Sequence, residues 1–162
     1  MKCELQDIIN DCTSEIADIE NRILNMPALD KEVRYLTNYT LIKVSGTLEF
    51  VYRSIVADYF TKYADSKVDT YIDSTIRNGP MSAKYEQMCN LLSKFDDSWC
   101  KSFKNIVSST PNSNQLISSS NSLVTNRHCF AHGKAPTATF MDIKQYYQDV
   151  LQLIHLFDSV VK

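Results

Sequence analysis

Apolar residues along this chain recur mainly at the three- and four-residue spacing of an α-helix. A first helix is predicted over roughly residues 3–25, ending before Pro27, and a second from about Lys31 to Ala64. Within the second helix, the segment LIKVSGTLEFVYRSIVADYF is apolar around most of its circumference, which is typical of the most buried helix of a bundle. The last predicted helix follows a capping-box pattern of Thr139 and Asp142. It carries the most regular apolar stripe, at Ile143, Tyr146, Tyr147, Val150, Leu151, Ile154, Phe157 and Val161.

Three shorter helices are predicted between these, in the segments KVDTYIDSTIRN, YEQMCNLLSKF and DDSWCKSFKNIV. Asn78-Gly79-Pro80 stops the first of them, and Asp96 or Asp97 is expected to cap the third. The serine-rich stretch 108–122 is low in complexity and is predicted to be a polar loop, inserted before a helical segment that ends at Gly133. The expected architecture is an all-α, compact bundle of four to five principal helices, forming a single domain over residues 1–162.

Composition is that of an ordinary globular chain and narrows the range of functions. The 162 residues include three glycines and four prolines, which favours helices over a β-rich fold. The net charge of −2 gives no overall field that attracts nucleic acid, so RNA binding would need a local basic patch. No apolar run is long enough to span a membrane, the N-terminal segment is no signal peptide, and the five cysteines lack CxxC spacing. A cytoplasmic location with reduced thiols is expected.

The segment NRHCFAHG, residues 126–133, combines an arginine with two of the chain's three histidines and one of its three glycines. One interpretation is structural: Gly133 would end a helix in the left-handed conformation, and a histidine in the last turn would interact favourably with the helix dipole. Metal binding is disfavoured because no second Cys/His cluster completes a site and Arg127 would repel a cation. The evidence for Cys129 as a catalytic nucleophile is weak. A histidine is its neighbour in sequence, but adjacent residues on a helix point about 100° apart. No metal and no cofactor are expected.

Cleavage of RNA is the remaining chemical interpretation of the motif. This reaction needs one group to take a proton from the 2′-hydroxyl and another to protonate the leaving 5′-oxygen, and histidine suits both roles. It also needs a fixed cation beside the phosphate, for which arginine is well shaped. Arg127 and His132 would supply these groups, but residues five apart on a straight helix do not share a face. Either the helix ends near Ala131, or two chains contribute to a shared cleft.

The stretch from Arg127 to Gly133 resembles the signature of the HEPN superfamily: an arginine, a polar residue and, after further positions, a histidine. Asn126, the Ala131-His132-Gly133 ending, segments 45–49 and 91–99 and the tyrosine-bearing last helix resemble RiboL-PSP-HEPN-type domains. The resemblance implies a compact helical bundle that dimerises so that both motifs face one cleft. It also implies metal-independent endoribonuclease activity that leaves 2′,3′-cyclic phosphates, often in toxin–antitoxin or anti-phage defence systems.

By position, the resemblance makes Arg127 and His132 the catalytic pair, with Asn126 and His128 in supporting roles. The implied partners are RNA, a second copy of the chain that completes a composite active site, and a neutralising protein such as an antitoxin. Histidine at position 128 departs from the commoner asparagine, and some members of the superfamily are non-catalytic. The alternative function is therefore a non-catalytic HEPN-like binding or dimerisation module.

Two further residues are candidates for contacting RNA. Lys134 directly follows the motif, and Arg53 lies on the buried-looking second helix. Arg53 is four residues from Glu49, so an intrahelical ion pair is the expected structural role, while a functional role would bring either side chain to the cleft to position Arg127 or RNA. Tyr146 and Tyr147 are considered for base stacking, but their place on the apolar stripe favours packing in the core or between subunits for at least one of them.

Overall fold

The computed structural model describes residues 1–27, 30–61 and 65–162, and within them the fold is all-α, as predicted. The helices are α1 Cys3–Leu24, α2 Lys31–Thr61, α3 Ser66–Ile72, α4 Tyr85–Phe95, α5 Asp97–Ser109, α6 Ser113–Ala131 and α7 Phe140–Val160. Helix α3 continues directly into a π-helical turn, Asp73–Arg77. The described residues thus contain slightly more helices than the four to five principal ones expected. Residues 62–64 of the second predicted helix lie outside the described residues.

Helix α2 is the centre of the bundle, since it packs against α1, α6 and α7. Its apolar residues are buried around much of the helix, as the sequence pattern predicts. Tyr52 is fully buried and meets Phe157 of α7 edge to face, with ring centroids 5.8 Å apart. The Tyr52 hydroxyl donates a hydrogen bond to the carbonyl of Ser82 at 3.0 Å. The core therefore buries this ring without leaving its polar end unpaired.

The serine-rich stretch 108–122 is not a loop, and that prediction is wrong. Residues up to Ser109 belong to α5, and from Ser113 onwards the stretch forms the first half of α6. The composition suggested a loop because serine is a weak helix former, but tertiary packing outweighs so small a propensity. Leu116 and Leu123 are fully buried and lie two turns apart on one face of α6. This apolar spacing is the signal that the serine content obscured.

The serines on the inner face of α6 are buried because their hydroxyls find partners on neighbouring segments. Ser119 donates to the buried carboxylate of Asp149 on α7 at 2.6 Å. Ser120 donates to the carbonyl of Ala83 at 2.8 Å and accepts from the backbone N–H of Tyr85, also at 2.8 Å. A short side chain lets these segments approach closely while satisfying their polar groups. The first half of α6 is thereby held against α7 and against the segment that leads into α4.

Several helix boundaries agree with the signals in the sequence. Thr139 and Asp142 form the expected capping box at the start of α7, with the Thr139 N–H donating to the Asp142 carboxylate at 2.8 Å. Asp96 caps α5, and its carboxylate accepts from the N–H of Ser98 at 2.7 Å.

In the part of the chain that the structure describes, no helix is both long enough and apolar enough to cross a membrane.

Candidate active site

Helix α6 ends within the motif, as Gly133 suggested. His132 is the C-cap residue, and Gly133 follows it with a φ of 71°, in the left-handed region that favours glycine. The Gly133 N–H donates to the Phe130 carbonyl at 3.0 Å, and the Lys134 N–H donates to the Cys129 carbonyl at 2.9 Å. These two bonds form a Schellman motif, which closes the helix and directs the chain away from its axis. The turn leaves His132 and Lys134 exposed at the helix end.

Arg127 lies one turn before this end and forms an ion pair with Glu49 of α2. The Arg127 Nη2 atom is 3.7 Å from a Glu49 carboxylate oxygen, and the two side chains are 42% and 10% exposed. Burial raises the pKa of Glu49, while the positive charges of Arg127 and then Arg53 oppose the increase. The guanidinium therefore has a buried anchor on one side and solvent on the other. Guanidinium N–H donors on the exposed side could bind a phosphate.

The side chains of His128 and His132 lie next to each other on the surface. Their ring centroids are 4.2 Å apart and their planes are inclined by 55°. This proximity follows from the four-residue spacing, because the backbone N–H of His132 still donates to the carbonyl of His128 at 3.1 Å. Between Arg127 and His132 the described residues show neither a hydrogen bond nor a salt bridge. The structure therefore groups the two imidazoles directly, while Arg127 lies about one helical turn before His132.

Asn126 is buried and connects the motif to the segment that follows it. Its amide nitrogen donates to the Ser122 carbonyl at 2.9 Å. Its amide oxygen accepts from the backbone N–H groups of Thr137 and Ala138, at 2.9 and 3.0 Å, and lies 3.3 Å from the Thr137 hydroxyl. The connection from α6 to α7 is thus fastened at both ends, by the Schellman turn and by this amide. The position of His132 between them is restrained by both.

The two candidates for RNA contact differ in their surroundings. Lys134 is exposed beside the motif. Arg53 is partly buried, its Nε donates to the backbone carbonyl of Glu49 at 2.8 Å, and its Nη1 donates to the carbonyl of Gly79. The expected ion pair between the Glu49 and Arg53 side chains is therefore wrong, because Arg53 is directed at backbone oxygens while Arg127 takes the carboxylate. Arg53 stabilises the turn at Gly79 in this arrangement.

Tyr146 and Tyr147 were considered for base stacking, but both pack in the bundle, as their place on the apolar stripe suggested for at least one of them. Tyr147 is 3% exposed, and its hydroxyl donates to the carbonyl of Ile9 at 3.1 Å. Tyr146 packs partly buried against the core. Other aromatic residues are exposed here: Phe130 of the motif, and Tyr35 and Tyr39 of α2, which line one groove with it. The four-residue spacing of Tyr35 and Tyr39 could have indicated a shared helix face. It is hard to recognise because the apolar residues of α2 lie on most sides of the helix.

The motif does not form a metal site in the part of the chain that the structure describes. No three side chains of His, Cys, Asp or Glu converge in that part of the chain. Cys129 is a partly exposed free thiol on α6. The chemistry that the site offers is that of two imidazoles, one guanidinium and a buried carboxylate.

The fold and the site together define a class: an all-α protein with an arginine and a histidine separated by four residues at the end of a helix. A family model of the RiboL-PSP-HEPN domain matches residues 7–162, and the chain belongs to this family. Searches among curated proteins and among solved structures gave no significant match.

Proposed function

We propose that this protein is a metal-independent endoribonuclease of the HEPN type that acts as a homodimer. The observation that carries the proposal is the juxtaposition at the end of α6. In the last part of α6 a half-exposed Arg127, paired with the buried Glu49, directly precedes His128, whose exposed imidazole lies beside that of His132. Membership of the family supports a ribonuclease or a nucleotide-binding module.

The proposed reaction is an internal transfer within RNA. A histidine takes the proton of the 2′-hydroxyl, whose oxygen attacks the adjacent phosphorus. The bond from phosphorus to the 5′-oxygen breaks, and a second histidine gives that oxygen a proton. The products are a 2′,3′-cyclic phosphate and a 5′-hydroxyl, so that protons and electrons balance without a cofactor. Arg127 stabilises the negative charge that develops on the phosphoryl oxygens.

Geometry supports a dimer as the active form. In an in-line displacement, the attacking and leaving oxygens lie on opposite sides of the phosphorus. The two imidazoles of one chain, 4.2 Å apart, lie side by side on one surface. A second copy that faces the first would supply the groups for the opposite side. We therefore assign His132 as the general acid or base, and His128 and Asn126 as supporting residues.

The cellular role that we propose is that of a toxin or anti-phage effector in the cytoplasm. Unregulated cleavage of RNA would harm the cell that makes the enzyme, so a neutralising protein or a triggering condition is required. Expression of the unmodified chain should slow growth, and Arg127→Ala or His132→Ala should relieve the effect.

The test is incubation of the purified protein with a mixed RNA pool in EDTA, followed by analysis of the product ends. The unmodified protein should leave 2′,3′-cyclic phosphates, and His132→Ala and Arg127→Ala should reduce the rate by about a hundredfold or more. His155→Ala is the matched control, because His155 is an exposed histidine on α7 outside the motif. Equal cleavage by the unmodified protein and the His132→Ala variant would contradict the proposal.

The alternative is a non-catalytic binding or dimerisation module. It is favoured by the ion pair of Arg127 with Glu49, since a structural arginine would form the same contact. Absence of cleavage by a folded dimer, together with dissociation of the dimer in the Arg127→Ala variant, would support this function instead.

A further inference from the structure

An open groove lies beside the motif, between the first half of α2 and the end of α6. Its volume is about 500 Å³, and it is lined by Arg34, Tyr35, Asn38, Tyr39, Ile42 and Phe130. The aromatic rings are unusually accessible: Tyr35 is 65% exposed, Tyr39 is 49% and Phe130 is 37%. Large exposed apolar side chains that cluster on one surface mark a place where something binds.

One aromatic ring of the groove, that of Tyr39, is held by a polar contact. The Tyr39 hydroxyl donates a hydrogen bond to the carboxylate of Glu15, and the same carboxylate pairs with Lys43 at 2.6 Å. The ring of Tyr39 is therefore oriented before any ligand arrives. Phe130 belongs to the rigid last turn of α6, three residues from Arg127, so it lies on the neighbouring part of the same helix face.

The polar groups of the groove suit a nucleobase attached to a phosphate backbone. Arg34 is exposed and takes part in no salt bridge among the residues that the structure describes, so its charge is available to a phosphate. Asn38 offers an amide that can both donate and accept at the edge of a base. Flat aromatic faces bind bases of any sequence by stacking. The volume lies within the usual range for sites that hold a small ring system.

We propose that this groove binds a nucleobase of single-stranded RNA, next to the phosphate held at Arg127. The proposal rests on the proposed function and names its substrate class. A base that stacks on Tyr35, Tyr39 or Phe130 has left any duplex, so paired RNA does not enter the groove. A second copy of the chain is the rival occupant. A stable interface uses about 20–30 residues a side, whereas the groove is a small concave site lined by the six residues named above.

The test measures binding separately from cleavage. All proteins carry His132→Ala, and fluorescence anisotropy follows a short labelled single-stranded RNA of mixed sequence and the same RNA in a duplex. Tyr35→Leu and Phe130→Leu should each weaken binding of the single strand by about tenfold. Tyr71→Leu is the matched control, because Tyr71 is 64% exposed on α3 and does not line the groove. The control should bind like its parent, and the duplex should bind more weakly than the single strand.

Four outcomes would overturn the proposal. Unchanged binding by both groove variants would do so, as would equal binding of duplex and single strand, or an equal loss in the Tyr71→Leu control. Sedimentation of the same proteins gives the fourth: conversion of a dimer to monomers by Tyr35→Leu and Phe130→Leu would make the groove a subunit interface. If the unmodified protein still cleaves RNA in these cases, the proposed function stands without the groove. If it neither binds nor cleaves RNA, both fail.

Discussion

Replacement of Gly46 by alanine should stabilise the folded chain. Gly46 is exposed in the interior of α2, far from either end of that 31-residue helix. A methyl group added there would meet no other atom within 4 Å, so it introduces no strain. Glycine is about 0.8–1.0 kcal/mol less favourable than alanine inside a helix, because the unfolded chain loses more freedom on folding. Gly46→Ala should therefore raise the free energy of unfolding by about 1 kcal/mol and the Tm by about 2–4 °C.

The measurement is urea denaturation of the purified protein at several concentrations, with thermal melting beside it. Gly133→Ala is the comparison, because Gly133 also has open space around it but has a φ of 71°. An alanine there is held in the left-handed region, and its strain should lower the free energy of unfolding by about 1 kcal/mol or more. A lower stability of Gly46→Ala at concentrations where the chain is monomeric would refute the argument. A loss seen only in the dimer would place Gly46 against the second subunit.

Three further predictions concern the carboxylate, the buried amide and the capping box. Burial raises the pKa of Glu49 above its ordinary 4.5, so the folded protein favours the protonated carboxyl group over the ionised one. Stability is therefore greatest below pH 4.5 as far as this group is concerned, and it falls as the pH rises through the folded-state pKa. Glu49→Gln should therefore become more stable relative to the unmodified protein between pH 4.5 and 7, and denaturation showing the opposite trend would contradict this. Asn126→Ala should lower the free energy of unfolding by about 1–3 kcal/mol, because it leaves the N–H groups of Thr137 and Ala138 without their acceptor. Asn10→Ala, at an exposed asparagine inside α1, is the matched control and should lose much less, and equal losses in urea denaturation would count against the role of the buried amide. Thr139→Ala should lower stability by about 1 kcal/mol in thermal melts and leave RNA cleavage unchanged, and an unaltered Tm would argue against the cap.

The parts of the fold that sequence predicts well are those governed by neighbours along the chain. The apolar stripe of α7 and the capping box of Thr139 and Asp142 depend on spacings of three and four residues, and both occur as expected. Gly133 ends α6 because a left-handed residue closes a helix most easily without a Cβ. Each of these features is decided within a few residues, so its signal is complete in the local sequence.

The features that sequence did not predict depend on contacts between distant segments. The serines of 113–122 are helical because Ser119 and Ser120 find partners on α7 and ahead of α4. Two roles were considered for Glu49, a pair with Arg53 four residues away and a contact with Arg127, and the structure has the second, on another helix. A pattern of residue types cannot rank these partners, because the ranking depends on the distances that the packed bundle creates.

The pair of Glu49 and Arg127 shows why the motif alone does not define the site. A buried carboxylate whose pKa is raised by desolvation is a weak source of stability, since its burial opposes the ionised form that the pair requires. The contact keeps the guanidinium of Arg127 within 3.7 Å of α2 while 42% of the side chain stays exposed. If Arg127 serves to bind a phosphate, Arg127→Ala should abolish RNA cleavage and change the free energy of unfolding little, whereas a large loss of stability with cleavage unchanged would make the arginine structural.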